Sequence, residues 1–166
     1  YPSVGLSAVL NSMMKMPKWV NLLKVRASWA QVGNDTQPYK TSPYYTTSDF
    51  SGSLVKPGTL YNADFKPEMS TNWEGGLDFK AFGSRLGLDV TYYYNRTKNQ
   101  ILNAPFDPTT GYTKGTINSG CVSNRGVEIV LRGTPVKTKD WQWDMTATWS
   151  TNKNKIESLS EFADER

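Results

Sequence analysis

Two neighbouring runs of this chain alternate apolar and polar residues so strictly that an extended backbone is the conformation that puts them to use. Across residues 71–81, Trp73, Gly75, Leu77, Phe79 and Ala81 fall on one side, and Glu74, Gly76, Asp78 and Lys80 on the other. In the next run Leu86, Leu88, Val90, Tyr92 and Tyr94 share a side, opposite Gly87, Asp89, Thr91, Tyr93 and Asn95. Successive side chains point to opposite faces of a strand, so each run is a ribbon with one apolar and one polar face. The intervening Phe82-Gly83-Ser84-Arg85 is short enough for a tight hairpin.

The pattern recurs on both sides of this hairpin. Upstream, Leu23, Val25, Ala27 and Trp29 alternate with Lys24, Arg26 and Ser28, and a weaker run places Val4, Leu6, Ala8 and Leu10 on one face. Downstream, Val127, Ile129 and Leu131 alternate with Glu128, Val130 and Arg132. Then Trp141, Trp143, Met145, Ala147 and Trp149 alternate with Gln142, Asp144, Thr146, Thr148 and Ser150. These runs predict six strands, near residues 1–10, 23–32, 71–81, 86–97, 122–133 and 141–154. Their connections alternate between short (around 11–22, 82–85 and 134–140) and long (around 33–70 and 98–117). In an antiparallel meander, alternate connections share an end, so one end carries tight turns and the other long loops, as in bacterial outer-membrane barrels.

Strand length and aromatic placement point the same way. About ten residues, tilted by about 45°, span on the order of 23 Å. Trp141 and Trp143 open a strand at the short-turn end, where Trp19 also sits, and Trp29, Trp73, Tyr92, Tyr94 and Trp149 lie toward the long-loop end. Rings at both ends of an aliphatic band match the two headgroup levels of a bilayer. The mean hydropathy of −0.57 does not oppose this, because outward and inward residues of a barrel cancel in the average. The expected fold is therefore all-β, an antiparallel up-and-down meander of about six long strands forming an incomplete segment of a large transmembrane β-barrel, its apolar face left bare. A soluble β-sandwich, serving as a carbohydrate-binding or adhesion module, is the alternative that alternation alone leaves open.

Composition removes whole classes of chemistry. There is no His and one Cys, Cys121, so neither an internal disulfide nor a Ser-His-Asp or Cys-His site can be built here. The expectation is no catalytic residue, no metal site and no cofactor, which also disfavours an outer-membrane barrel enzyme. Glu74, Asp78, Asp89 and Asp144 read as a polar lumen wall rather than a catalytic carboxylate pair. The excess of 19 Lys+Arg over 15 Asp+Glu is small and scattered, so no nucleic-acid partner is expected. No apolar run reaches the length of a transmembrane helix, and Tyr1-Pro2-Ser3-Val4 is not a signal peptide. Asn124-Arg125-Gly126 is expected to form a bulge at a strand start, and Cys121 to be a free thiol at a strand edge. The Tyr- and Pro-rich loop offers Tyr39, Tyr44, Tyr45 and Phe50 as candidate contacts for a ligand or partner, since long loops on a rigid wall are where recognition sits.

Several phrases, in order along nearly the whole chain, resemble the SusC/RagA family of TonB-dependent outer-membrane transporters. They are Tyr1-Pro2-Ser3-Val4-Gly5-Leu6-Ser7; Leu23-Lys24-Val25-Arg26-Ala27-Ser28-Trp29 with Gly33-Asn34; and Phe65-Lys66-Pro67-Glu68 with Ser70-Thr71, Glu74 and Gly76-Leu77-Asp78. Tyr93-Tyr94-Asn95-Arg96-Thr97-Lys98, Asn124-Arg125-Gly126-Val127-Glu128 and Trp149-Ser150-Thr151-Asn152-Lys153-Asn154 continue the series. Ala30, Phe65 and Cys121 stand where the family usually has Gly, Leu and a polar residue.

The resemblance implies that residues 1–166 are part of a TonB-dependent receptor β-barrel domain, with no plug and no signal peptide present. It implies an outer-membrane importer of a Gram-negative bacterium, taking up nutrients such as glycans or peptides without enzymic chemistry. The implied partners are a SusD-like surface lipoprotein, TonB acting through the absent N-terminal region, outer-membrane lipid and the nutrient ligand.

Overall fold

The computed structural model describes residues 1–35, 41–50, 52–62 and 66–159. In chain order its strands are β1 (Ser3–Val9), β2 (Val20–Asn34), β3 (Thr46–Thr47), β4 (Leu54–Val55), β5 (Thr59–Leu60), β6 (Glu68–Ala81), β7 (Leu86–Lys98), β8 (Ile101–Pro105), β9 (Lys114–Asn118), β10 (Cys121–Lys137) and β11 (Gln142–Ser158). Six of them join in the order β1-β2-β6-β7-β10-β11, the antiparallel meander expected. The sheet does not close on itself; β1 and β11 are its two edges. The strands outrun the periodic segments, reaching 17 residues in β10 and β11. Ladder hydrogen bonds are made by the backbone, so residues without an alternating pattern, such as Thr134 in β10 and Lys155 in β11, continue the strands and hydrophobic periodicity underestimates their length.

Two residues of the alternating runs fall outside strands, Trp141 just before β11 and Leu10 just after β1. Leu10 does not extend the apolar face of β1, because it starts the single helical turn α1 (Leu10–Met13). The side chain of Asn11 then pins the turn to β2, donating to the Asn21 carbonyl at 3.1 Å and accepting from the Leu23 N–H at 3.3 Å. The bulge expected at Asn124-Arg125-Gly126 gives way to a break just upstream. These three residues lie inside β10, and the ladder is interrupted where Asn99 (φ 56°) faces Gly120 (φ 79°), next to the Ser119–Gln100 hydrogen bond. Two left-handed residues in opposed positions divide what would be one long hairpin into β7 with β10 and β8 with β9.

The chain divides into two compact units. The first holds Tyr1–Val32, Thr71–Arg96 and Ser123–Lys155. Its faces are as the alternation predicts. The register pairs Val4 with Trp29, Leu6 with Ala27 and Ala8 with Val25, carrying the apolar face across β1 and β2. Trp29 meets Trp73 of β6 at 6.1 Å, and Trp19 meets Phe79 edge-on at 6.2 Å, so the same face continues onto β6. The turn joining β6 to β7 uses three successive left-handed residues, Phe82 (φ 55°), Gly83 (φ 66°) and Ser84 (φ 64°). Phe82 and Ser84 pay a steric cost there that Gly83 does not. Three contacts hold the turn: the Phe82 N–H donates to the Trp19 carbonyl at 2.8 Å, the Trp19 and Phe82 rings stack, and the Ser84 N–H donates to Asn21.

Nothing among the described residues covers the apolar face of this unit. Among the described residues only Ala81 and Cys121 are buried apolar side chains, while Trp73 and Trp143 remain 56% and 57% exposed. The chain exposes 12561 Å². A compact monomer of its 18.7 kDa would expose about 8,300 Å². A sandwich requires a second layer over such a face, so the structure favours a wall over the soluble module.

The second unit holds Gly33–Ser70, Thr97–Val122 and Ile156–Arg166. The two long connections are not irregular throughout. One contains the β3–β4 hairpin, and the two together build a small sheet in which β9 pairs in parallel with β5 and antiparallel with β8.

Candidate functional site

The polar face of the first unit is organised around Arg26. Its position opposite Ser7 puts it on the face away from Trp29 and Ala27. Its guanidinium reaches across β6 to β7. Nη1 donates to Asp78 at 3.0 Å, and Nη2 donates to Asp89 at 3.1 Å and to the Thr91 hydroxyl at 2.6 Å. A planar fork with five N–H donors can serve two carboxylates at once, which an ammonium cannot do in the same geometry. Gly76 makes room for it: a Cβ there would fall onto the Arg26 side chain. Three strands are thus tied by one side chain.

Of the four carboxylates considered from sequence, the structure brings Asp78 and Asp89 together around Arg26. Asp144 stands apart, accepting from the Thr134 hydroxyl at 2.6 Å and the Gln142 amide at 2.7 Å, and Glu74 is exposed. The arrangement can fix strands and present acceptors to a water-filled space. The Arg26 clamp went unread in the sequence, although a signal existed. Asp78 and Asp89 stand equally far from the Phe82–Arg85 turn, and like charges opposed across a hairpin call for a cation.

The second unit carries the loop candidates. Tyr39 lies outside the described residues. Tyr44 stacks on Tyr61 at 6.3 Å while remaining 55% exposed, and Tyr45 and Phe50 are exposed. The bend that presents Phe50 is closed by Ser53, whose N–H and hydroxyl both donate to the Phe50 carbonyl. Nearby rings have partners within the loops: Lys56 sits 4.0 Å from the centre of the Tyr112 ring. Glu68 fastens the loop bases, accepting from the Asn34 amide at 3.2 Å and the Ile101 N–H at 2.7 Å. Asn118 does the same for Lys66, bonding both its N–H and its carbonyl. Asp107 caps the short 3-10 turn Pro108–Thr110; hydrogen bonds from the Thr109 N–H and hydroxyl hold its carboxyl below the usual carboxylate range. Cys121 is in no disulfide, as expected, and it stands at the first position of β10, but β10 is an interior strand of the sheet and the thiol is buried, its sulfur 3.4 Å from Glu157 Oε2.

No helix among the described residues is long and apolar enough to cross a membrane, which leaves crossing by strands untouched. The family model described as "TonB dependent receptor-like, beta-barrel" matches residues 1–164. TonB-dependent receptor P39 of Formosa agariphila is 28% identical over 97% of this chain and 16% of its own length. TonB-dependent receptor SusC of Bacteroides thetaiotaomicron is 25% identical over 96% of this chain and 17% of its own. The chain thus spans about a sixth of the length of these curated relatives. Among solved structures, that of the RagAB peptide transporter superimposes with a TM-score of 0.86 at 26% identity, over 95% of this chain and 18% of that one. With the family match running almost end to end over a six-stranded meander, the chain belongs to the TonB-dependent receptor β-barrel family, in its SusC/RagA branch.

Proposed function

We propose that residues 1–166 form part of one barrel domain in an outer-membrane importer of a Gram-negative bacterium, and that this stretch supplies wall, lumen lining and two outer loops. The observation that carries this is an open sheet of long strands with a bare aromatic face. Five of the six strands of the sheet have 13 to 17 residues; climbing about 2.3 Å per residue when tilted by about 45°, they exceed the roughly 25 Å apolar band of an outer-membrane barrel. The aromatic face would meet lipid. The Arg26 face would line the lumen, and the short turns would lie in the periplasm.

In this reading the whole protein carries a nutrient across the membrane without making or breaking a bond in it. TonB supplies the work, through parts of the protein other than this wall. A SusD-like lipoprotein meets the outer loops, with Tyr44, Tyr45 and Phe50 as the contact rings on the described side. A peptide is the cargo we favour over a glycan, because the similar RagAB is a peptide importer. The test is energised uptake of labelled peptide and oligosaccharide mixtures by cells carrying the full-length protein, with and without TonB. Uptake that needs both the protein and TonB is expected, together with a lipoprotein that co-purifies and is weakened by Phe50→Ala with Tyr45→Ala. TonB-independent uptake, or none of either cargo, would contradict the importer reading.

A further inference from the structure

The apolar face of the first unit has a hollow near its short-turn end. Gly133 stands on β10 between Leu131 and Pro135, and a Cβ placed there would meet nothing within 4 Å. Met145 and the small Ala147 of β11, with Leu86 of β7, line the hollow as well. The result is an open groove of about 690 Å³, lined on its floor by carbon. That volume is in the range of sites that hold small molecules, roughly 300–1,000 Å³.

Arg85 stands at the rim of this groove. Its guanidinium is fixed by two carbonyls, Nε donating to Thr134 at 3.2 Å and Nη2 to Pro135 at 3.1 Å. Carbonyls orient the fork without cancelling its charge, and further N–H donors remain. Among the described residues no carboxylate sits within pairing distance of Arg85. Lys137, two positions past Pro135, and Lys139 in the following turn add positive charge at the same end, where Asp140 and Asp144 are the nearby acids and Asp144 lies within electrostatic reach of Lys137. Trp141 and Trp143 are exposed beside them.

We propose that this groove binds a single anionic phospholipid, one acyl chain lying along Gly133 and Ala147 and the phosphate on Arg85. The inference rests on the membrane-wall reading above. The charge decides the occupant. A second copy of the barrel packed on this face would bury Arg85 without a carboxylate partner, whereas a lipid phosphate supplies a counter-charge. Interfacial indoles next to the cations place the same end at headgroup level.

The test is native mass spectrometry of the intact full-length transporter, delipidated and then titrated with phosphatidylglycerol or phosphatidylcholine of identical chains. The wild type should retain one phosphatidylglycerol, preferred by about fivefold for one guanidinium at the surface. Gly133→Leu and Ala147→Leu fill the groove from two strands, and both should lose that lipid. Gly75→Leu, on the same face with open space around its Cβ but outside the groove, should keep it. Arg85→Gln, an exposed turn position that does not depend on packing, should erase the preference while leaving phosphatidylcholine retention unchanged. Equal retention of the two lipids by the wild type, or an unchanged preference in Arg85→Gln, overturns the proposal. So does a Gly75→Leu loss equal to that of the filling variants, or a barrel dimer that excludes lipid and dissociates in Gly133→Leu. Insertion of the wild-type protein into the outer membrane is scored separately. An inserted barrel without the preference sinks the lipid site alone, while a protein that never inserts sinks the wall reading itself.

Discussion

An arginine placed at Val90 separates the two faces energetically. The apolar positions of β7 run from Leu86 to Tyr94, and at about 2.3 Å of climb per residue they cover about 18 Å, inside the roughly 25 Å apolar band. Val90 stands half-way. Val90→Arg in the full-length barrel should therefore cost about 2–4 kcal/mol, the midplane value, which is about a 30- to 700-fold shift in the folded-to-unfolded ratio. Leu86→Arg lies about 9 Å nearer the short turns, where the long side chain can reach water, and should cost about 0–1 kcal/mol. Asp89→Leu, next to Val90 on the other face, removes one partner of Arg26 but leaves the 3.0 Å pair with Asp78. With these side chains 22–31% exposed, that loss should be about 1 kcal/mol or less. The assay is guanidinium unfolding in phospholipid vesicles, followed by tryptophan emission, with midpoints compared at unchanged slope. A larger loss for Asp89→Leu than for Val90→Arg would mean that the faces are reversed.

Three further outcomes follow from close contacts. Gly126→Ala should destabilise the barrel by about 1–3 kcal/mol, because its Cβ would meet the Thr151 carbonyl and the Tyr93 ring, whereas Gly75→Ala, facing open space, should be nearly silent in the same melt. Arg26→Lys should behave almost as Arg26→Ala, since a point charge cannot hold Asp78 and Asp89 together; a double-mutant cycle with Asp89→Asn should show coupling for the arginine and little for the lysine. At Asp107 the lowered folded pKa means that the cap's contribution is present above the unfolded carboxylate value, about 3.9, and lost as pH falls through the folded one. The Thr109 amide protection factor, its rate relative to the intrinsic one at each pH, should fall only on that acid side, and Asp107→Ala should remove that pH dependence of protection.

The wall was legible because its signal is physical and local. A half-solvated ribbon must alternate, so Trp73 to Ala81 and Leu86 to Tyr94 reveal both the strand and its faces. Leu10 shows the limit: its parity fits β1, but Asn11 finds backbone partners on β2 and bends the chain instead. The loop strands were hidden for a different reason. β3 and β4 are two residues each and carry no period, and β5 gains its partner β9 from the other long connection. Cys121 shows that a residue's depth depends on neighbours distant in sequence, here Glu157. The Arg26 clamp needed the register of three strands at once, which alternation within each strand does not supply. The candidate loop rings were named from composition, and Tyr44 already has a ring partner in Tyr61, leaving Tyr45 and Phe50 the freer surfaces.

The most direct measurement of the central claim is the solvent each face meets. Spin labels can be placed singly at positions 86 to 94 of the full-length protein in membranes, with Cys121 replaced by Ser. Collision with oxygen, which concentrates in lipid, is then compared with collision with a water-soluble nickel complex. A lipid-facing wall predicts that labels at Leu86, Leu88, Val90, Tyr92 and Tyr94 favour oxygen, and those at Gly87, Asp89, Thr91 and Tyr93 favour nickel, in strict alternation. Uniform access to nickel along the strand, or alternation of the opposite phase, would contradict it.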